Sequence, residues 1–274
     1  MYAKFLARVQ YKIMKTYSIY FSGTGNTKKV VKAIAGGISS EFEEINWTEP
    51  ATRAMGHAFQ REDYVVFGVP TIAGRVPNVL LKSFGNIVGN GARAVAAVTY
   101  GNRAYDDSLL ELARLLKERE FRVIGGAAFP AEHSFSRILG AGRPDSEDLT
   151  KAVDFGRNVV AKIDDSEPDI FKTDSELNPY FQPKDRNGNP INILKVKPVF
   201  NAGRCVGCGR CVKACPMGSI DKNTMEVTGI CIKCCACVKG CPEGAWSFED
   251  EGFLYHKSEL EYLYGDRKEI EFYI

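Results

Sequence analysis

Cysteine is absent from the first 204 residues of this 274-residue chain. That absence excludes a disulfide framework stapling the whole fold, because such a framework spreads its cysteines through the elements it joins. Also missing is any apolar run long enough to span a bilayer, so no membrane span is expected. Charge of one sign is not in surplus either. The 36 Lys and Arg face 34 Asp and Glu, for a net charge of +2. No basic stripe of the kind that tracks a phosphate backbone is found, so no nucleic-acid partner is expected. The opening MYAKFLARVQYKIMK lacks both a continuous apolar core and a small-residue cleavage site, so no secretory signal is expected. Met14 is a candidate start, since the first strand signal begins just after it. A cytoplasmic, reducing location is the matching expectation.

What is present is concentrated. All nine cysteines fall between Cys205 and Cys241, in two segments that align at a shift of 26 residues, CVGCGRCVKACPMG (205–218) and CIKCCACVKGCPEG (231–244). The spacings are Cys205-x2-Cys208-x2-Cys211-x3-Cys215-Pro and Cys231-x2-Cys234-x2-Cys237-x3-Cys241-Pro. This is the bacterial ferredoxin run for [4Fe–4S] clusters, in which the fourth thiolate of each run serves the other cluster. The pattern assigns one cluster to Cys205, Cys208, Cys211 and Cys241, and the second to Cys231, Cys234, Cys237 and Cys215. Zinc is the competing reading, but it takes four tetrahedral ligands, usually as two separated C-x2-C pairs, and two triplets plus two Cys-Pro singles do not suit it. Cys235 aligns with Gly209 and is read as a spare thiol in preference to a ninth ligand.

Residues 16–163 alternate β-rich and helical patterns. The strand signals are 16–21, 42–47, 63–69, 93–100 and 121–129. The helix signals are Thr27–Ser39, Val76–Ile87, Asp107–Arg119 and Ser146–Ile163. Such alternation implies right-handed crossovers and a parallel sheet with helices on both faces. Residues 164–190 are rich in Asp, Pro and Asn and read as a connector, with Phe171, Tyr180 and Phe181 suggesting that it packs on something. The expected division is 14–165 for the α/β domain, 166–190 for the connector, 191–250 for the cysteine domain and 251–274 for a tail docking back.

The first strand runs into Ser22-Gly23-Thr24-Gly25-Asn26-Thr27 and then a helix. Small hydroxyl side chains and a helix N-terminus suit an anionic group. Neither a Walker loop nor a G-x-G-x-x-G fingerprint is present, and without lysine the loop suits a terminal monophosphate. A helix-capping turn with no ligand is the competing reading. Two further loops follow neighbouring strands on the same rim, Pro70-Thr71-Ile72-Ala73-Gly74-Arg75 and Gly101-Asn102-Arg103-Ala104-Tyr105. Pro130-Ala131-Glu132-His133-Ser134 follows the fifth strand. His133 is either a proton donor to a reduced flavin or substrate, or a structural loop cap. Arg75, Arg103 and Arg137 are weak candidates for holding an anion.

The loop Ser22–Thr27 fits the [ST]-x-T-G-x-T pattern, and the domain resembles flavodoxins. That resemblance implies a doubly wound five-stranded parallel sheet of order 2-1-3-4-5 with FMN at the switch point. It implies that Tyr100 and Tyr105 stack on or edge the isoalloxazine ring, and that Asn102 and the backbone of Thr71–Gly74 meet its polar edge. For Tyr100 a core role is equally open. Two departures are the near-neutral charge and the lack of tryptophan in either ring-flanking loop. With both domains and the run Tyr100–Asp107 considered, the chain resembles the EFR1-family ferredoxins, in which a flavodoxin-like domain is fused to a small α+β ferredoxin domain. The resemblance implies electron transport in anaerobic metabolism between two [4Fe–4S] clusters and FMN, with a redox protein as donor or acceptor. The alternatives are a flavin-dependent reductase of a small acceptor such as a quinone, and a non-redox sensor.

Overall fold

The computed structural model describes residues 14–162 and 164–274, so the opening segment before Met14 and residue Ile163 lie outside the described residues. The chain begins with β1 (Thr16–Tyr20), α1 (Asn26–Ile38), β2 (Glu43–Asn46), α2 (Pro50–Ala54) and β3 (His57–Ala58). It continues through β4 (Tyr64–Pro70), a 3-10 helix (Asn78–Asn86), β5 (Ile87–Val88), β6 (Arg93–Tyr100), α3 (Ser108–Glu118), β7 (Arg122–Pro130) and α4 (Ser146–Ala161). The cysteine-bearing part contains β8 (Val199–Phe200), α5 (Arg210–Ala214), α6 (Ala236–Gly240) and β9 (Trp246–Ser247). The chain closes with α7 (Glu251–Leu263) and β10 (Glu271–Tyr273). Among the described residues no helix is long and apolar enough to cross a membrane.

The main sheet runs β10-β7-β6-β4-β1-β2. Its first five strands in sequence, leaving aside the short β3–β5 pair, are parallel, in the order 2-1-3-4-5. The sixth, β10, is antiparallel to β7, with Phe272 opposite Ala127. Strand side chains alternate between two cores, as the two-residue period requires. Ile19, Val65, Phe67, Ala96 and Val98 face the core capped by Leu109, Leu112 and Leu116 of α3. Tyr20, Val66, Val95 and Ala97 face α1 and α4 through Val30, Val31, Ile34, Phe155 and Val159. Burial on both faces explains why β4 and β6 read as continuous apolar runs.

Trp47 anchors the α3-side core, in edge contact with Phe67 at 4.8 Å and Phe84 at 5.4 Å. On the other face, α1 and α4 cross where two glycines meet. A Cβ on Gly37 would fall 2.1 Å from the carbonyl oxygen of Val153, and one on Gly156 would fall 2.2 Å from that of Ile34. Helix α4 starts at a reciprocal capping box between Asp145 and Asp148. The segment expected as a helix over 76–87 is a 3-10 helix over Asn78–Asn86. It opens with the Leu80 N–H donating to the Pro77 carbonyl, and its Asn, Ser and Gly residues are weak α formers.

After α4 the chain does not leave the sheet at once. Phe171 is fully buried, filling space left by Gly126, whose Cβ would lie 2.4 Å from the Phe171 ring. The cysteine-bearing part then forms two matching halves, with α5 and α6 offset by 26 residues and β8 pairing antiparallel with β9. Finally α7, capped by Asp250, carries the chain back to the sheet edge at β10.

Candidate functional site

Three cavities carry the chemistry, and two of them are lined by cysteine. One is lined by Cys205, Cys208, Cys211 and Cys241, and the other by Cys231, Cys234, Cys235, Cys237 and Cys215. Apart from Cys235, each set draws three thiols from one half of the repeat and one from the other. The conformations repeat as well. Gly207 and Lys233 both have positive φ (69° and 55°), as do Gly209 and Cys235 (68° and 59°) and Gly218 and Gly244 (59° each). These left-handed residues curl each loop so that main-chain N–H groups turn toward sulfur. The Ser219 N–H donates to Cys215 Sγ and the Ala245 N–H to Cys241 Sγ, both at 3.3 Å, and the Gly207 N–H donates to Cys205 Sγ at 3.4 Å. Such donors offset negative charge on sulfur.

Burial pushes the Cys234 thiol up to about 12, reinforced by Cys215 and Cys231, and pushes Cys237 up to about 12, reinforced by Cys234. A bound cation would favour their thiolate forms. The donor set and its main-chain shell therefore fit an iron–sulfur group. Cys235 is buried, and its thiol lies 3.6 Å from the Lys233 carbonyl.

The third cavity, about 460 Å3, lies at the carboxyl ends of the parallel strands. Its floor is the loop from Ser22 to Thr27. Gly25 adopts φ 91°, which a side chain would resist. Ser22 Oγ accepts from the Lys28 N–H, and Asn26 Nδ2 donates to the Glu132 carbonyl at 3.2 Å. Thr27 Oγ1 shares a hydrogen bond of 2.7 Å with Thr99 Oγ1. The side chains expected as phosphate donors are thus partly engaged in holding the loop. Among the described residues the N–H groups of Gly23–Thr27 have no protein acceptor, and the Thr24 hydroxyl has no partner. Thr71 Oγ1, also on the cavity wall, is buried without a partner. A concave rim of free N–H groups at a helix N-terminus is an anion cradle.

The walls join the two halves of the molecule. Pro70–Gly74, Tyr100, Gly101 and His133 face Tyr180, Phe181 and Ile191–Leu194 of the connector region and His256 and Leu260 of α7. Ile232, Lys233 and Cys234 close the cavity from the cysteine side. Cys234 therefore lines both this cavity and its own cysteine cage. A Cβ on Gly23 would lie 2.9 Å from Cys234 Cβ, so only glycine lets the two loops approach this closely.

A family profile described as a 4Fe–4S binding domain matches residues 197–220. Flavodoxin FldP of Pseudomonas aeruginosa is 35% identical over 63 residues, which is 23% of this chain and 34% of that protein. The chain thus spans about a third of the length of this curated relative. Among solved structures, oxidised flavodoxin 1 from Bacillus cereus is 22% identical, with 55% of this chain and 99% of that chain covered at a TM-score of 0.39. A flavodoxin from the domain Archaea is 18% identical, with 54% and 97% covered at a TM-score of 0.38. The chain joins a parallel α/β sheet of order 2-1-3-4-5 to a segment that matches the profile of a 4Fe–4S binding domain.

Several residues expected at the flavodoxin-like rim stand elsewhere. Asn102 is buried but does not line the cavity. Its Nδ2 donates to the carbonyls of Tyr264 and Asp266, at 2.6 and 2.8 Å, and so ties down the segment after α7. Tyr105 likewise turns away, its hydroxyl bonding Glu271 at 2.6 Å and Tyr273 at 2.8 Å. Both were expected at a ring, and both instead hold the returning C-terminal segment, which no local pattern in their own loop announces. Gly25 supports the loop without lining the cavity. Tyr100 does both, lining the cavity while sitting almost wholly in the core, where burial pushes its phenol up to about 12.

Arg75 is held by Glu111 and the Asn178 carbonyl, whereas Arg103 lies over the Phe181 ring at 4.2 Å and pairs with Asp106. Arg137 is exposed. His133 accepts the Phe135 N–H on Nδ1, and burial, with His256, Lys239 and Arg103 nearby, pushes it down to about 3. It is a neutral imidazole at physiological pH, able to offer only Nε2–H as a hydrogen-bond donor.

Sequence reading missed the connector wall. Tyr180 and Phe181 signalled packing, but Ile193, Leu194, His256 and Leu260 carried no sign of facing a cavity. It also missed Arg53, a buried side chain that donates to the Trp47, Thr48 and Pro216 carbonyls, the last at 2.6 Å across the two domains.

Proposed function

We propose that the protein transfers electrons between two [4Fe–4S] clusters and one FMN held in the same chain. Residues 14–165 hold the flavin and residues 191–250 the clusters, while residues 166–190 and 251–274 bind the two parts together. The distal cage is Cys205, Cys208, Cys211 and Cys241; the proximal cage is Cys231, Cys234, Cys237 and Cys215. The single observation that carries the reading is Cys234, which lines both the proximal cage and the cavity above the phosphate cradle.

When bound, each cluster would carry one electron at a time and FMN one or two, so the pair would interconvert single and paired electrons. The chain's own residues supply the geometry. The free N–H groups of Gly23–Thr27 and the Thr24 hydroxyl hold the FMN phosphate. Thr71 Oγ1 and the loop through Gly74 offer polar contacts to the ring, beside Tyr100 and Gly101. Phe181, Ile193, Leu194 and Leu260 roof the cavity and exclude water. Arg53 and Lys239 clamp the two domains, the latter donating to Glu132 at 2.5 Å and to the His133 carbonyl at 2.6 Å. His133, held neutral by burial, is a weaker proton donor at neutral pH than an imidazolium would be, and this favours the carrier over a reductase of a small acceptor.

Anaerobic purification with iron, sulfide and flavin quantified together tests this reading. About eight iron, about eight sulfide and about one FMN per chain are expected. About four iron would remove one cage, and flavin-free protein that resists reconstitution would remove the FMN.

A further inference from the structure

No cysteine of the proximal cage is exposed, and its Cys234 faces the flavin-side cavity, which is walled by the connector region, α7 and the flavodoxin-like domain. The distal cage differs. Cys208 is exposed, and Val206, in the same loop, is 65% exposed. Around this apolar tip stand Arg204, Arg210, Lys213 and Lys222, all exposed. Arg210, Lys213 and Lys222 line the distal cavity itself, and Glu243 is the one carboxylate among its lining residues. Among the described residues none of the four cations forms a side-chain hydrogen bond or an ion pair. By contrast, exposed cations elsewhere are often paired, as Lys15 is with Glu43 and Lys151 with Glu147.

An apolar contact ringed by unpaired charge of one sign is the anatomy of a transient, electrostatically steered interface. We infer that the distal cage carries the docking face for a small acidic protein that is a one-electron carrier. The inference rests on the two-cluster reading above. One electron leaves the reduced carrier, which is oxidised, and arrives at the distal iron–sulfur centre, which is reduced. No bond and no proton moves, and the reverse transfer uses the same face.

The test is anaerobic rapid mixing of the holoprotein with two probes across a salt series. The acidic probe is a reduced plant-type [2Fe–2S] ferredoxin, and the basic probe is oxidised cytochrome c, mixed with pre-reduced holoprotein. The variant is Lys213→Glu with Lys222→Glu. The control for overall charge is Lys29→Glu with Lys82→Glu, two exposed lysines of the flavodoxin-like domain. With the ferredoxin, the second-order rate constant should fall steeply as salt rises. In the docking-face variant at low salt it should fall roughly tenfold or more, and in the control by no more than about twofold. With cytochrome c the docking-face variant should react faster than the wild type.

Should that variant lose iron, Arg204→Glu with Lys222→Glu asks the same question outside α5, and the salt series on the wild type needs no substitution at all. Rates that ignore salt, or that fall equally in variant and control, overturn the docking face. Wild-type protein with iron for fewer than two clusters overturns the two-cluster reading instead, so the two failures are told apart.

Discussion

At Gly23 there is no room for a methyl group, because its Cβ would fall 2.9 Å from Cys234 Cβ and 3.2 Å from Cys234 Sγ. The contact is with a side chain that iron would hold in place, so the loops cannot relax cheaply. Gly23→Ala should force the cluster loop and the phosphate loop apart at a cost of about 1–3 kcal/mol. The expected readout is weaker FMN retention on gel filtration with unchanged iron, and equal FMN retention would refute the packing account. His133 makes a separate prediction. Its protonation is suppressed to about 3 in the fold, so between that value and an ordinary histidine pKa the unfolded chain binds more protons than the native one. Stability from this group is therefore complete above about pH 6.5 and is lost as pH falls below it. Chemical denaturation of the holoprotein at stepped pH should show that decline, and His133→Gln should flatten it.

Among the elements, the crossing of α1 and α4 depends on the facing pair Gly37 and Gly156. Gly156→Val would push a side chain into the Ile34 carbonyl, which lies 2.2 Å from the built Cβ, and backbone cannot yield as a flexible side chain can. A loss of about 1–3 kcal/mol or more is expected in urea unfolding of the holoprotein. Near the start of α4, Arg143 pairs in the interior with Asp148 at 2.6 Å. Arg143→Met strips that buried carboxylate of its bidentate partner and leaves it only Arg267 at 3.7 Å and the Asp145 N–H, at an expected cost of up to about 3–5 kcal/mol. Unchanged midpoints in either experiment would contradict the packing described here.

Much of this level was legible in the sequence, because the continuous apolar runs of doubly buried strands and helix faces at period 3.6 are local signals. Strands such as Tyr64–Pro70 and Arg93–Tyr100 could be read directly. The cysteine spacing was legible too; the distal cavity is lined by Cys205, Cys208, Cys211 and Cys241, while the other takes in Cys235 beside Cys215, Cys231, Cys234 and Cys237. The roles of Asn102 and Tyr105 were not, because their partners lie more than 160 residues away in sequence. The same holds for the connector wall: no local period tells Ile193 or Leu194 that a cavity lies beneath them.

At the scale of the whole molecule, the C-terminal segment makes the architecture cohere. The chain leaves the sheet, builds the two cysteine-lined cavities, and returns through α7 to add β10 to the edge strand β7. That return roofs the cavity, and Arg53 secures the other side by reaching Pro216, next to Cys215. Arg53→Ala should leave cluster assembly intact but loosen the domain contact, slowing flavin reduction without lowering iron content. Equal rates in wild type and variant would show that the clamp is not needed for transfer.

The most direct test of the central claim is anaerobic stopped-flow reduction of the holoprotein by a one-electron donor, followed at the iron–sulfur and flavin bands across a range of protein concentrations. If Cys234 brings the proximal cluster to the flavin within one chain, flavin reduction should trail cluster reduction with a first-order rate that ignores protein concentration. A flavin phase that scales with protein concentration, or clusters that stay reduced beside an oxidised flavin, would contradict it.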